Sequence, residues 1–217
     1  MADDTGKRLT DKRVADPRWR RTRERLLQVG FELIGEGGAE GVNIDIITAR
    51  ARISKQTFYN HFADRDMLTQ ELWLESRRVF TQAITTANAG LTDPVQRLAR
   101  GVAIYARLAV DDPHHARFIV RTHIGRGMLD NGNHGLQRDL LDALGQGRLS
   151  FDQLDTATRF VTGVTMALML QILEVDQAQR RAALCAETLL MLLRGLGCGG
   201  ADAALIAGDA ARHIAGS

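Results

Sequence analysis

The chain is short of several things at once. Its 217 residues include two cysteines, three prolines and two tryptophans, and mostly arginine among 28 basic residues. Two cysteines, Cys185 and Cys198, cannot build a disulfide framework or a structural zinc site by themselves. The longest mostly apolar stretch, residues 160–173, is interrupted by Thr162, Thr165 and Gln171. A membrane span needs about 20 apolar residues, so the sequence predicts no membrane partner. The N-terminus is charged and lacks the apolar core of a secretory signal, which points to a cytoplasmic protein. Strand-like alternation never persists beyond a few residues, and no repeat of 20–50 residues is present. What the chain does have is a hydrophobic fraction of 45%, ample for a buried core.

Charge is nearly balanced, with 28 Lys+Arg against 26 Asp+Glu and a net charge of +2. The balance hides an asymmetry. Residues 7–25 carry Lys7, Arg8, Lys12, Arg13, Arg18, Arg20, Arg21, Arg23 and Arg25 against three acids. A basic arm of this kind is compatible with nucleic acid. Lys55 is the only lysine beyond it.

Each proline follows an aspartate: Asp16-Pro17, Asp93-Pro94 and Asp112-Pro113. Aspartate at an N-cap accepts a bond from an orphan backbone N–H, and proline at the first helical position loses no needed donor. Behind Asp93-Pro94, Val95, Leu98, Val102, Tyr105 and Ala109 recur at helical spacing. Other helices are expected over residues 17–34, 44–51, 55–62, 64–88, 136–144, 152–174 and 176–196. Leu27, Gly30, Phe31 and Ile34 form one face of the first. Asp176 and Gln179 suggest a capping box for the last. Residues 125–135 read as a Gly- and Asn-rich mobile loop, and the alanine-rich tail, residues 201–213, as a loosely held final helix. The fold class is all-α.

Residues 44–62, I-D-I-I-T-A-R-A-R-I-S-K-Q-T-F-Y-N-H-F, are the most informative stretch. Two short helices joined through Arg52-Ile53-Ser54 have helix-turn-helix geometry. At about 100° per residue, Phe58 and Phe62 form the buried stripe of the second helix. Lys55, Gln56, Thr57, Tyr59 and Asn60 then face outward, rich in donors and free of acid. Gln and Asn can pair with adenine in a major groove, and Lys or Tyr can hold phosphates. A solvated polar helix would have the same composition.

The run from Ala51 to Phe62, followed by Ala63-Asp64-Arg65-Asp66-Met67-Leu68, resembles the DNA-binding domain of the TetR family of bacterial transcriptional regulators. The family's capped T-I-x-x-I-A segment is matched by Asn43-Ile44-Asp45-Ile46-Ile47-Thr48. Arg52 stands where the family has a turn glycine, so a retained turn would force it into a left-handed conformation.

The resemblance implies a basic flexible arm over residues 1–16, a three-helix DNA-binding domain over residues 17–63, and an effector-binding and dimerisation domain over residues 64–217. It implies DNA contacts at Lys55, Gln56, Thr57, Tyr59, Asn60 and His61, with Thr48, Arg18, Arg20 and Arg21 on backbone phosphate. It also implies a homodimer on a palindromic operator of double-stranded DNA. Leu168, Ile172, Leu184, Met191 and Leu192 would supply the dimer seam. The implied function is a repressor released by a small-molecule effector, with Tyr105, Phe118, Arg121, His123, Met166 and Met169 as candidate ligand contacts. With so few aromatic residues, a small or aliphatic effector is expected. An activator, or a regulator without an effector, is the alternative.

Other motifs carry less. Residues 195–200 match G-x-G-x-x-G formally but follow a helix, so they read as helix termination. His114, His115, His123 and His134 lack the i, i+4 spacing of a helical zinc site. No cofactor, metal or catalytic set is expected.

Overall fold

A computed structural model describes residues 16–38, 42–126 and 134–215. Ten α-helices and no strands occur among them: α1 (Pro17–Gly37), α2 (Ile44–Ala51), α3 (Lys55–Tyr59), α4 (Arg65–Ala87), α5 (Pro94–Asp111), α6 (Pro113–Arg126), α7 (His134–Gly145), α8 (Leu154–Leu173), α9 (Ala178–Gly195) and α10 (Gly200–Ala215). The all-α expectation holds. The basic arm before Asp16, the loop of residues 127–133 and the side chain of His123 lie outside the described residues.

All three Asp-Pro pairs open helices. Arg18 N donates to Asp16 Oδ1 at 2.8 Å, Val95 N to Asp93 Oδ1 at 2.8 Å, and His115 N to Asp112 Oδ1 at 3.1 Å. Each such cap contributes about 1 kcal/mol. The capping box expected at Asp176 does not form. α9 begins at Ala178, after Gln177, and no side chain bonds the cap.

The chain divides into two compact units, Met1–Glu75 and Ser76–Ser217. In the first, α1 packs on α2 and α2 on α3. The buried side of α1 is Leu26, Val29, Gly30, Phe31, Leu33 and Ile34, one position displaced from the expected stripe at its start. Leu72 of α4 lies so close to Gly30 that a Cβ there would sit 2.9 Å from Leu72 Cδ1. Glycine thus allows the close approach of the two helices.

In the second unit α5 is central, packing against α6, α7, α8, α9 and α10. Its buried face is largely small: Ala99, Ala103, Ala106 and Ala109 beside Val95, Leu98 and Val102. Arg97 ties α5 to α7 through Asp139 at 2.6 Å and Asp142 at 3.2 Å. Arg148 reaches both Asp93 at 3.0 Å and Asp202 of α10 at 3.1 Å.

The tail helix differs from expectation. α10 is firmly seated, burying Ala203, Ile206, Ala207, Ala210, Ala211 and Ile214 against α5 and α9. Residues 195–200 do end a helix. Gly197 takes φ 82°, and a Cβ there would meet Ser150, whose N–H donates to the Leu196 carbonyl at 2.7 Å.

α8 is long and apolar enough, by length and composition, to cross a membrane. Its Ala157, Val161, Leu168, Met169 and Ile172 are buried, and it packs against α5, α6, α7 and α9 as a core helix.

Candidate nucleic-acid interface

The turn between α2 and α3 is built from backbone bonds. Ile53 N donates to the Thr48 carbonyl at 3.0 Å and Arg52 N to the Ala49 carbonyl at 3.2 Å. This is a Schellman motif, which requires a left-handed residue just past the helix. Arg52 occupies that place with φ 53° and ψ 49°, the one non-glycine residue at positive φ among those described. Asn43 caps α2 through Ile46 N at 2.9 Å, and Ser54 caps α3 through Thr57 N at 3.0 Å.

α3 is shorter than expected, ending at Tyr59, and residues 60–62 continue as a turn with Phe62 N bonded to the Phe58 carbonyl. Phe58 and Phe62 are 0% and 2% exposed, with ring centroids 5.8 Å apart. Burying a phenyl side chain of this kind contributes roughly 1.5–3 kcal/mol and fixes which face of α3 turns outward. Lys55, Gln56, Tyr59 and Asn60 are exposed, and Thr57 is half-buried. Gln56 Nε2 donates to Asn60 Oδ1 at 3.4 Å, so the two amides stand side by side. Thr57 Oγ1 lies 2.8 Å from Ser54 Oγ.

Three of the sequence-predicted residues have more particular settings. Lys55 Nζ lies 2.5 Å from Asp45 Oδ1, and this hydrogen bond raises the lysine above its ordinary pKa. Thr48 is buried at 5% exposure; its hydroxyl donates to the Ile44 carbonyl at 2.8 Å and lies 3.1 Å from that of Asp45. The structure therefore does not bring Thr48 to the surface beside α3. His61 is half-buried, its ring 4.8 Å from that of Trp19. Burial, and then the Arg23 guanidinium, hold its imidazole below the ordinary value, and Nδ1 has no hydrogen-bond partner.

Trp19, Arg23 and Glu71 were not anticipated from the sequence. Arg23 lies over the rings of Trp19 and Phe62, at 5.7 and 4.8 Å, and pairs with Glu71 at 2.6 Å. This cluster anchors the end of α3 between α1 and the start of α4. Arg18, Arg20 and Arg21 lie exposed on α1.

The candidate effector residues are not gathered into one surface. Phe118 and Met169 are 0% exposed and Met166 is 7% exposed, packed in the core, whereas Arg121 is exposed. Tyr105 is half-buried and stacked on Phe80 at 4.2 Å. Of the residues expected at a dimer seam, Leu168, Ile172 and Leu192 are each at most 1% exposed within their own chain, Leu184 is half-buried and Met191 is exposed. The large apolar side chains that α8 and α9 leave exposed are Phe160, Leu170 and Met191.

A helix-turn-helix unit with an acid-free outward face on α3, followed by a larger all-helical unit, defines a DNA-binding transcriptional regulator. Residues 26–72 match the family described as bacterial regulatory proteins, tetR family, and residues 93–208 match the tetracyclin repressor-like C-terminal domain. The chain belongs to the TetR family of bacterial transcriptional regulators.

Among solved structures, it is similar to RolR in complex with resorcinol, at 27% identity and a TM-score of 0.62, over 91% of this chain and 95% of that one. It shares its fold with a gamma-butyrolactone receptor (ArpA-like protein), at 20% identity and a TM-score of 0.65, over 91% of this chain and 99% of the receptor. A TetR-family transcriptional regulator from Pectobacterium atrosepticum has the same fold at 21% identity and a TM-score of 0.57, over 82% and 94% of the two chains. No curated protein matches the chain by sequence.

Proposed function

We propose that the protein is a cytoplasmic transcriptional repressor that binds a palindromic operator as a homodimer and leaves it when a small molecule binds. The observation that carries this reading is the outward face of α3. Lys55, Gln56, Tyr59 and Asn60 are exposed together while Phe58 and Phe62 lock the opposite face into the core. Gln56 and Asn60 would meet base edges, with Lys55, Thr57, Tyr59 and His61 on or near phosphate. Thr48 would act from beneath by holding the first turn of α2. Two such helices in a dimer would enter successive major grooves about 34 Å apart, or a multiple of that.

The seam we assign to the dimer is the exposed strip of α8 and α9. Phe160, Gly163, Ala167 and Leu170 follow one another at helical spacing, all exposed, and Met191 lies exposed on α9. The Phe160 ring sits over Gly195, where a Cβ would be 3.2 Å from Phe160 Cζ, so this strip joins the two helices. Apolar surface contiguous over two helices is the kind that a second copy covers.

The likeness to RolR bound to resorcinol supports a small organic effector. The test is a gel-shift and anisotropy titration of the full chain against fragments of its own promoter region at low salt, with resorcinol as the first effector tried. Retarded DNA released by resorcinol is the expected result. No shift with any fragment would overturn the DNA-binding reading.

A further inference from the structure

Arg52 holds a left-handed backbone, φ 53° and ψ 49°, in the turn that leads into the reading helix. The Schellman turn requires that conformation, and glycine or asparagine adopts it most readily. An arginine there adds strain, and no bond among the described residues offsets it. Its side chain is exposed, with no hydrogen bond or ion pair to any of them. Backbone strain of this kind concentrates where a protein meets its ligand.

The neighbouring cations are in a different state. From Asn43 to Phe62 the lysine and arginine side chains are Arg50, Arg52 and Lys55. Arg50 Nη2 pairs with Glu36 at 3.3 Å, and Lys55 Nζ with Asp45 at 2.5 Å. Of the three, Arg52 is the one with no acid beside it among the described residues.

A second guanidinium reaches the same place from α1. Arg25 Nη1 lies 3.5 Å from the carbonyl oxygen of Ala51, the last residue of α2 and the one before Arg52. The C-terminal end of a helix holds a cation favourably. Arg18, Arg21 and Arg25 are all exposed and follow one another at three- and four-residue spacing along α1. This basic stripe ends at the turn. There one guanidinium rests on the last carbonyl of α2 and the next residue carries another that is unpaired.

We propose that Arg52, with Arg25 beside it, binds a backbone phosphate at the edge of the major groove that α3 enters. The inference rests on the DNA-binding reading above and adds a contact outside the reading helix. Arg52 and Lys55 are three positions apart, so their Cα atoms are separated by about 10 Å at most. A B-form major groove is about 12 Å wide. With Lys55 and Gln56 at the groove, Arg52 falls among the phosphates that border it. A guanidinium presents a planar fork of N–H donors that matches two phosphate oxygens, as an ammonium does not. Because no acid holds Arg52, its contact forms without breaking an ion pair, whereas Lys55 must leave Asp45. A phosphate contact carries no base information, so it acts equally on every sequence. An acidic protein surface would also offer oxygens to this fork. The place of Arg52, two residues before the Ser54 cap of α3, is what favours DNA.

The test uses the full chain, a promoter fragment that it retards and a scrambled duplex of equal length, titrated by anisotropy across a salt series. Arg52→Gly keeps the turn and removes the cation. It should weaken binding to both duplexes by about fivefold to tenfold at low salt and lower the slope of log affinity against log salt by about 1. The urea midpoint of the same variant should rise, so that folding and binding move in opposite directions. Arg52→Asn, which also tolerates the left-handed turn, should match it on DNA. Arg52→Lys should restore the slope and only part of the affinity. Adding Arg25→Ala to Arg52→Gly should bring the loss of slope to about 2. Unchanged affinity and slope in Arg52→Gly overturns the proposal and leaves the regulator reading in place. A loss confined to the promoter fragment also overturns it, because Arg52 would then be reading bases. If the wild-type chain retards no DNA, the regulator reading itself falls and this contact with it.

Discussion

Lys55 Nζ lies 2.5 Å from Asp45 Oδ1, joining the first residue of α3 to the first turn of α2. The lysine expected to hold a phosphate is thus held by an acid in the unbound protein. DNA must compete with Asp45 for it. Asp45→Asn should therefore raise affinity for DNA of any sequence by about threefold to tenfold at low salt. Lys55→Ala should weaken binding to all sequences and reduce the slope of log affinity against log salt by about 1. Anisotropy titrations across a salt series check both, and an Asp45→Asn protein with weaker binding would reverse the assignment.

Gln56 and Asn60 share an amide–amide contact on the exposed face of α3. Gln56→Ala should relax base preference at one operator position, costing about 1–3 kcal/mol on the preferred site and little elsewhere. Competition against operators substituted base by base measures this. An unchanged preference would remove Gln56 from the reading set.

Arg52 pays a conformational penalty in the left-handed position of the turn. Arg52→Gly should stabilise the first unit by about 1 kcal/mol, because glycine takes this conformation without a Cβ clash. Both tryptophans, Trp19 and Trp73, lie in that unit. Their fluorescence in urea melts reports it directly.

The His61 imidazole is depressed by burial and by Arg23. A histidine whose folded pKa lies below its unfolded value loses stability on acidification. The unfolded chain takes up a proton near pH 6.5, and the folded protein does so only at lower pH. The contribution is intact above about pH 7, falls as pH drops through 6.5, and levels off once the folded ring protonates. His61→Gln should flatten this component, read as the difference between variant and wild-type urea midpoints at pH 5.5 and 7.5.

Met191 is 66% exposed, whereas Leu168 is 1% exposed. Met191→Glu should convert the proposed dimer to monomers in sedimentation experiments. Leu168→Ala should instead lower stability by about 2–5 kcal/mol through the cavity it leaves. Unchanged dimerisation in Met191→Glu would move the seam elsewhere.

The helices were legible because their signals are local. An aspartate before each proline, Asn43 and Ser54 at caps, and Phe58 with Phe62 at one-turn spacing all act within a few residues. The left-handed Arg52 could be anticipated for the same reason, from the turn that surrounds it. Long-range pairings were not legible. Ser76 and His115 are 39 residues apart, and nothing in the sequence around either points to the other. Arg23 and Glu71, 48 apart, meet where Gly30 lets α1 approach Leu72 of α4. Of the residues expected at a dimer seam, Leu168, Ile172 and Leu192 are buried and Met191 is exposed, because a helix can bury a leucine stripe inside its own chain and present a second, smaller-residue strip outward. Periodicity finds the richer stripe first. The tail helix was undervalued because alanine carries a weak hydropathy signal, although its small side chain permits close helix contact.

α10 gives the gene an unusual distribution of vulnerable codons. Its buried Ala203, Ile206, Ala207, Ala210, Ala211 and Ile214 close one side of α5 and α9. A nonsense mutation at codon 200 leaves every residue of the helix-turn-helix encoded, yet strips the covering from the centre of the second unit. Such an allele should behave genetically as a null, with the truncated product cleared by proteases. Missense alleles replacing any of those alanines with a large side chain should be temperature-sensitive.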